Sequence, residues 1–98
     1  MLNVYTNKIM STREEMLKVL GEYFPITGTT EDFDGSEGGI WICGECDYTN
    51  LRGVPYFDYY AQTQSYEFGV LTNLVKLADR HGWYFEWHDA GTIMCYPV

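Results

Sequence analysis

The sequence predicts an α+β two-layer sandwich: a mixed or antiparallel sheet of about four to six strands carrying two amphipathic helices. Three observations predict it. Two stretches repeat apolar residues at helical spacing. Several short stretches alternate apolar and polar residues or form brief apolar runs bounded by turn residues. The 98 residues, 46% of them hydrophobic and 17% aromatic, are enough to bury one core. We therefore expect a single α+β domain over residues 1–98, in the order β-α-β(β)β-α-ββ.

The elements follow in chain order. Leu2 and Val4 alternate, so Leu2–Tyr5 reads as a short strand. Ser11-Thr12-Arg13-Glu14 is an S-x-x-E capping box, and Thr12 with Glu15 offers the same box one residue later. Met16, Leu17, Leu20, Tyr23 and Phe24 continue at helical spacing, and Pro25 ends the helix at about Tyr23. Residues 26–39 are rich in Thr, Gly and acids, and read as a long loop, functional or mobile. Ile40–Cys43 is a short buried-strand signal. Beyond it, either Gly44-Glu45 makes a hairpin turn or the strand runs on to Cys46.

Tyr56–Ala61 is aromatic and reads as a strand. Ser65 is placed to cap the second helix, with Phe68, Leu71, Leu74, Val75 and Ala78 as its apolar stripe. Arg80 and His81 suit its negative end, and Gly82 its C′ position. Trp83, Phe85 and Trp87 then alternate with Tyr84, Glu86 and His88. Asp89-Ala90-Gly91 turns the chain into a last strand, Thr92–Tyr96.

Charge bounds the function. The formal net charge is −8, from 14 acids against six Lys and Arg. Between Lys18 and Arg52 there is no basic residue but seven carboxylates: Glu22, Glu31, Asp32, Asp34, Glu37, Glu45 and Asp47. Such a block attracts cationic partners and repels nucleic acid and anionic membranes. No P-loop or G-x-G-x-x-G run is present among the glycines, so phosphate binding is not expected. Met1–Met10 is too polar for a secretory core, and no apolar run approaches the ~18–20 residues of a membrane span. A cytoplasmic protein with its three cysteines reduced is the expectation.

Cys43-Gly-Glu-Cys46 has the spacing of two thiolates on one zinc ion. Trp41-x-Cys43-x2-Cys46-x3-Asn50 resembles the first half of a Ran-binding-protein-type zinc finger over ten residues. The second half departs from that pattern, because Phe57 and Tyr60 stand where its cysteines belong. Completing a metal site would need His81, His88 or Cys95 from elsewhere in the chain. The favoured reading is two small thiols flanking a turn, with no cofactor. The zinc-binding or small enzymatic domain is the alternative.

Glu86 and His88 share a strand face and could act as a general acid/base pair. A two-residue turn sets Cys95 opposite Glu86, the only register in which a Cys–His–Glu triad forms. A three-residue turn sets Met94 there. No catalytic motif is complete, so we expect no enzyme. Tyr48, Tyr56, Phe57, Tyr59, Tyr60 and Tyr66 cannot all face inward, and outward tyrosines suit a protein interface.

The sequence thus points to a small acidic protein-interaction module. Its expected partner-binding residues are Glu31, Asp32, Asp34, Glu37, Glu45, Asp47, Tyr48 and Tyr59. Its expected partner is a basic protein surface, with no direct nucleic acid and no membrane. In its sharpest form it is a nucleic-acid mimic that inhibits a DNA- or RNA-handling protein. A compact acidic domain of this kind resembles in type the phage anti-restriction and anti-CRISPR inhibitors. A structural or regulatory subunit is the remaining class.

Overall fold

A computed structural model describes residues 2–3 and 8–98 of the chain. It contains strands β1 (Leu2–Asn3) and β2 (Lys8–Ile9), helix α1 (Arg13–Gly21), strand β3 (Gly28–Thr29), helix α2 (Thr30–Phe33) and strand β4 (Ile40–Cys43). After a long loop come β5 (Tyr66–Glu67), β6 (Val70–Leu71), α3 (Thr72–Arg80), β7 (Trp83–Asp89) and β8 (Thr92–Pro97). The central sheet has the order β3-β4-β8-β7 and is antiparallel at every junction. The α+β expectation holds. Of the predicted first strand, Leu2–Asn3 is β1, and Val4–Tyr5 lies outside the described residues.

One sheet face builds the core. Ile40 and Ile42 on β4 pair across to Cys95 and Ile93 on β8, which pair in turn to Phe85 and Trp87 on β7. Met16 and Leu20 of α1, Leu74 and Ala78 of α3, Val70 of β6, and the loop residues Phe24 and Phe57 close over that face. This is the two-layer arrangement that a half-apolar sheet requires. The opposite face is not bare. Met94 is buried there, and the rings of Phe33 and Trp41 lie 4.8 Å apart. Helix α2 thus docks the acidic segment against the outer face.

The first helix is capped by Thr12, not Ser11. Thr12 accepts from the Glu15 backbone N–H, and the Glu15 carboxylate accepts from Thr12 N–H at 2.9 Å. Ser11 is used elsewhere. Its Oγ lies 2.8 Å from His81 Nδ1, and its carbonyl accepts the Trp83 indole N–H at 2.9 Å. One residue therefore ties the start of α1 to the junction of α3 and β7.

Three expected elements are corrected. Ser65 does not cap the second helix, which starts only at Thr72. Phe68 and Gly69 form a two-residue turn between β5 and β6, both at positive φ (49° and 77°). That geometry matches the twist of a tight hairpin and cannot lie inside a helix. Tyr56–Ala61 is not a regular strand. Its order comes from the isolated bridge of Phe57 to Val70 and from the Tyr56 N–H bond to Tyr48 O. Residues 26–39 are not a plain loop, since they contain β3 and α2.

Candidate functional site

The acidic block divides into two very different places. The first surrounds α2 and is largely engaged with its own chain. Glu31 accepts from Arg13 Nη1 at 2.6 Å and from the Gly38 backbone N–H at 3.0 Å. The Gly38 bond first, and then Arg13, holds the Glu31 carboxyl down at about 2. Asp34 accepts from the Ser36 backbone N–H, and its bonds to Ser36 hold it below the usual carboxylate range. Asp32 accepts from the Thr29 hydroxyl. Buried Thr30 knits the turn together: its hydroxyl donates to Ser36 O at 2.8 Å and accepts from Gly39 N–H at 2.9 Å. Arg13 also donates to Gly39 O. Arg13, from outside the Lys18–Arg52 stretch, therefore supplies Glu31 with a cation. Glu37 is exposed on the same turn.

The second place is a cleft of about 390 Å³ at the end of the sheet. It is lined by Gly44, Glu45, Asp47, Pro55, Phe57, Asp58, Tyr59, Tyr60 and Ala90. Three carboxylates and two exposed tyrosines meet there, and no lining residue is basic. Glu45 and Asp47 lie in the loop after β4, which ends at Cys43, and are not borne on a strand. Asp58 Oδ1 accepts from the Tyr60 backbone N–H, and Asp58 N–H donates to Gly69 O at 2.7 Å. These bonds set the 58–60 turn.

Trp87 supports the cleft from below. The Tyr59 ring stands edge-on to its indole at 5.1 Å. A Cβ at Gly44 would fall 2.6 Å from Trp87 Cζ3, so glycine alone lets the chain cross the ring there. The Gly44 N–H donates to Gly91 O, joining the 44–47 loop to the β7–β8 turn. Glu45 lies over Gly91, whose added Cβ would come 2.8 Å from the Glu45 carboxylate.

Cys43 and Cys46 are joined in a disulfide. The expectation of reduced thiols is corrected: the turn at Gly44-Glu45 brings the two Cα atoms to 5.7 Å, within the span that a disulfide bridges. The sulfurs bond each other and hold no metal in this state. Cys95 is fully buried, and burial pushes its thiol far above its ordinary pKa. Among the described residues, no group of three or more His, Cys, Asp and Glu could hold a metal ion.

The Glu86–His88 pair is resolved by the register. Asp89 pairs with Thr92 around a two-residue turn, but a bulge between Trp87 and Asp89 sets Glu86 opposite Met94. Phe85, not Glu86, faces Cys95. The register that a Cys–His–Glu triad needs does not occur. His88 packs edge-on to Phe33 at 4.9 Å.

Of the expected partner-binding residues, the fold brings Glu45, Asp47 and Tyr59 together. It places Glu31, Asp32, Asp34 and Glu37 around α2. Tyr48 is half-buried and stacks on Phe24 at 5.8 Å, which makes it part of the core's rim. Asp58 is the residue that sequence reasoning missed. Its signal was its position between Phe57 and the Tyr59-Tyr60 pair.

Among the described residues, no helix is long and apolar enough to cross a membrane. Comparison with family models, curated proteins and solved structures finds no match to this chain.

Proposed function

We propose that this protein is a small interaction module whose acidic, tyrosine-walled cleft receives a Lys or Arg side chain from a basic partner surface. One observation carries the reading: Glu45, Asp47 and Asp58 converge with Tyr59 and Tyr60 on one cleft without a lining cation. Carboxylates attract a guanidinium or ammonium group and steer its approach. Aromatic walls add a cation–π term of about 0.5–1 kcal/mol at an exposed site. The surrounding net charge of −8 extends the attraction beyond contact.

The partner class that fits is a protein with a basic surface, a class that includes nucleic-acid-handling proteins, which meet phosphates with Lys and Arg. Nucleic-acid mimicry, as in anti-restriction or anti-CRISPR inhibitors, is the narrower form of the same reading. The engaged acids around α2 lend it less than the cleft does, since Glu31 is already paired with Arg13. The cytoplasmic setting expected from the sequence is weighed against by the Cys43–Cys46 disulfide, because disulfides persist in oxidising compartments.

The test is a titration with a fluorescent Arg/Lys-rich peptide, followed at low and high salt. The expected result is binding that weakens roughly tenfold or more between about 50 and about 300 mM salt. Binding that ignores salt, or an equally tight Glu-rich peptide, sinks the proposal.

A further inference from the structure

Strand β7 ends the sheet order, and among the described residues no strand pairs with its outer edge. Such an edge presents alternate backbone N–H and C=O groups to solvent. Proteins usually blunt long edges with Lys, Pro, a bulge or a covering segment. Trp83–Trp87 has no Lys and no Pro, its register is regular, and the bulge comes only after Trp87. Its single charge is the exposed Glu86.

Beside this edge runs a groove of about 390 Å³, shared between β7, α3 and the β5–β6 hairpin. Val70, Val75 and Phe85 give it an apolar lining, and Glu67 and Phe68 stand on the hairpin side. Phe68 is 96% exposed and sits at φ 49°, a conformation uncommon for a bulky side chain. Its carbonyl accepts the Trp87 indole N–H, so the hairpin turn is anchored to the edge strand itself.

We propose that β7 is a docking edge that takes an extended segment of a partner protein as an added strand, with apolar and basic residues alternating along it. An extended backbone is the one ligand that satisfies a strand's alternating donors and acceptors. Strand alternation then sends one set of its side chains toward the Phe85 face and groove, and the other toward Tyr84 and Glu86. Charge decides the sign of that second set: Glu67 and Asp79 line the groove against one cation among the described residues, Lys76, and Glu86 is exposed on β7, on a chain of net charge −8. The same charge disfavours a second copy as the occupant, since pairing would bring −8 against −8. This surface is separate from the acidic cleft and does not depend on it.

The probe is a short peptide of alternating Val and Lys, with a Val–Glu counterpart as control. Two further versions carry backbone N-methyl groups on one or the other alternate set of residues. Because a Lys-bearing peptide also meets the cleft, the readout is amide exchange in β7, measured residue by residue on the full chain. On binding, the outward amides within Trp83–Trp87 should slow roughly tenfold or more. Methylation of one set should abolish that protection while methylation of the other leaves it. Glu86→Lys, at an exposed site, should weaken the effect roughly tenfold. Unchanged exchange in β7, equal loss from both methylation patterns, or a β7-paired dimer in sedimentation overturns the proposal.

Discussion

The indole N–H of Trp87 donates to the carbonyl of Phe68 at 2.6 Å, across 19 positions of sequence. This bond joins the edge strand to the β5–β6 turn. The same indole touches Tyr59 and underlies Gly44. Trp87 is therefore the point where both candidate surfaces meet the core. Trp87→Phe should cost about 1 kcal/mol, the net worth of one hydrogen bond. Trp87→Ala should cost about 3 kcal/mol, at the low end for aromatic truncation because the ring is only half-buried. Denaturant melts check both. A neutral Trp87→Ala would mean that the ring supports neither loop.

Phe68 holds a positive φ that Asn tolerates better than Phe does. Its side chain is exposed and its carbonyl, not its ring, makes the bond to Trp87. Phe68→Asn should thus raise stability by about 0.5–1 kcal/mol. A loss of stability in thermal melts would show that the ring packs in solution, contrary to this structure.

Much of this fold is legible in the chain. Trp83, Phe85 and Trp87 alternate because one face of β7 is core, and Met16 with Leu20 marks the buried stripe of α1 for the same reason. Other parts depend on backbone events that leave little trace in residue type. Phe68 falls in register with Leu71 and Val75, so the helical stripe read from the sequence begins four residues before the helix does. Only Gly69 hints at the turn. The bulge at His88 shifts Glu86 by one partner without changing any residue. Helix α2 is four residues long, too short to show a period. In the cleft, Glu45, Asp47 and Tyr59 are visible as charge and exposed ring. The arrival of Asp58 depends on its bond to Gly69, which no local pattern announces.

Acid should act through Glu31. Its folded pKa, at about 2, lies below its ordinary 4.5. The stabilisation from this pair is therefore complete above about 4.5 and is lost as the pH falls toward 2. Glu31→Gln should flatten the acid limb of a stability–pH curve in that window. An unchanged limb would place the acid sensitivity in other carboxylates.

Thiol counting checks the corrected cysteine assignment. Without reductant, the unfolded chain should alkylate at one cysteine, Cys95, and the native chain should react there only slowly because the thiol is buried. After reduction and unfolding, all three cysteines should react. Fast labelling of Cys43 and Cys46 without reductant would contradict the disulfide.

The most direct measurement compares two variants that lose equal charge in different places. One carries Glu45→Gln, Asp47→Asn and Asp58→Asn in the cleft. The other carries Asp32→Asn, Asp34→Asn and Glu37→Gln around α2. Each is titrated with the same Arg/Lys-rich peptide at the same salt. The cleft account predicts a loss of roughly tenfold or more for the first variant and less than about twofold for the second. Equal losses in both, or a larger loss from the α2 variant, would contradict it and leave net charge alone as the attraction.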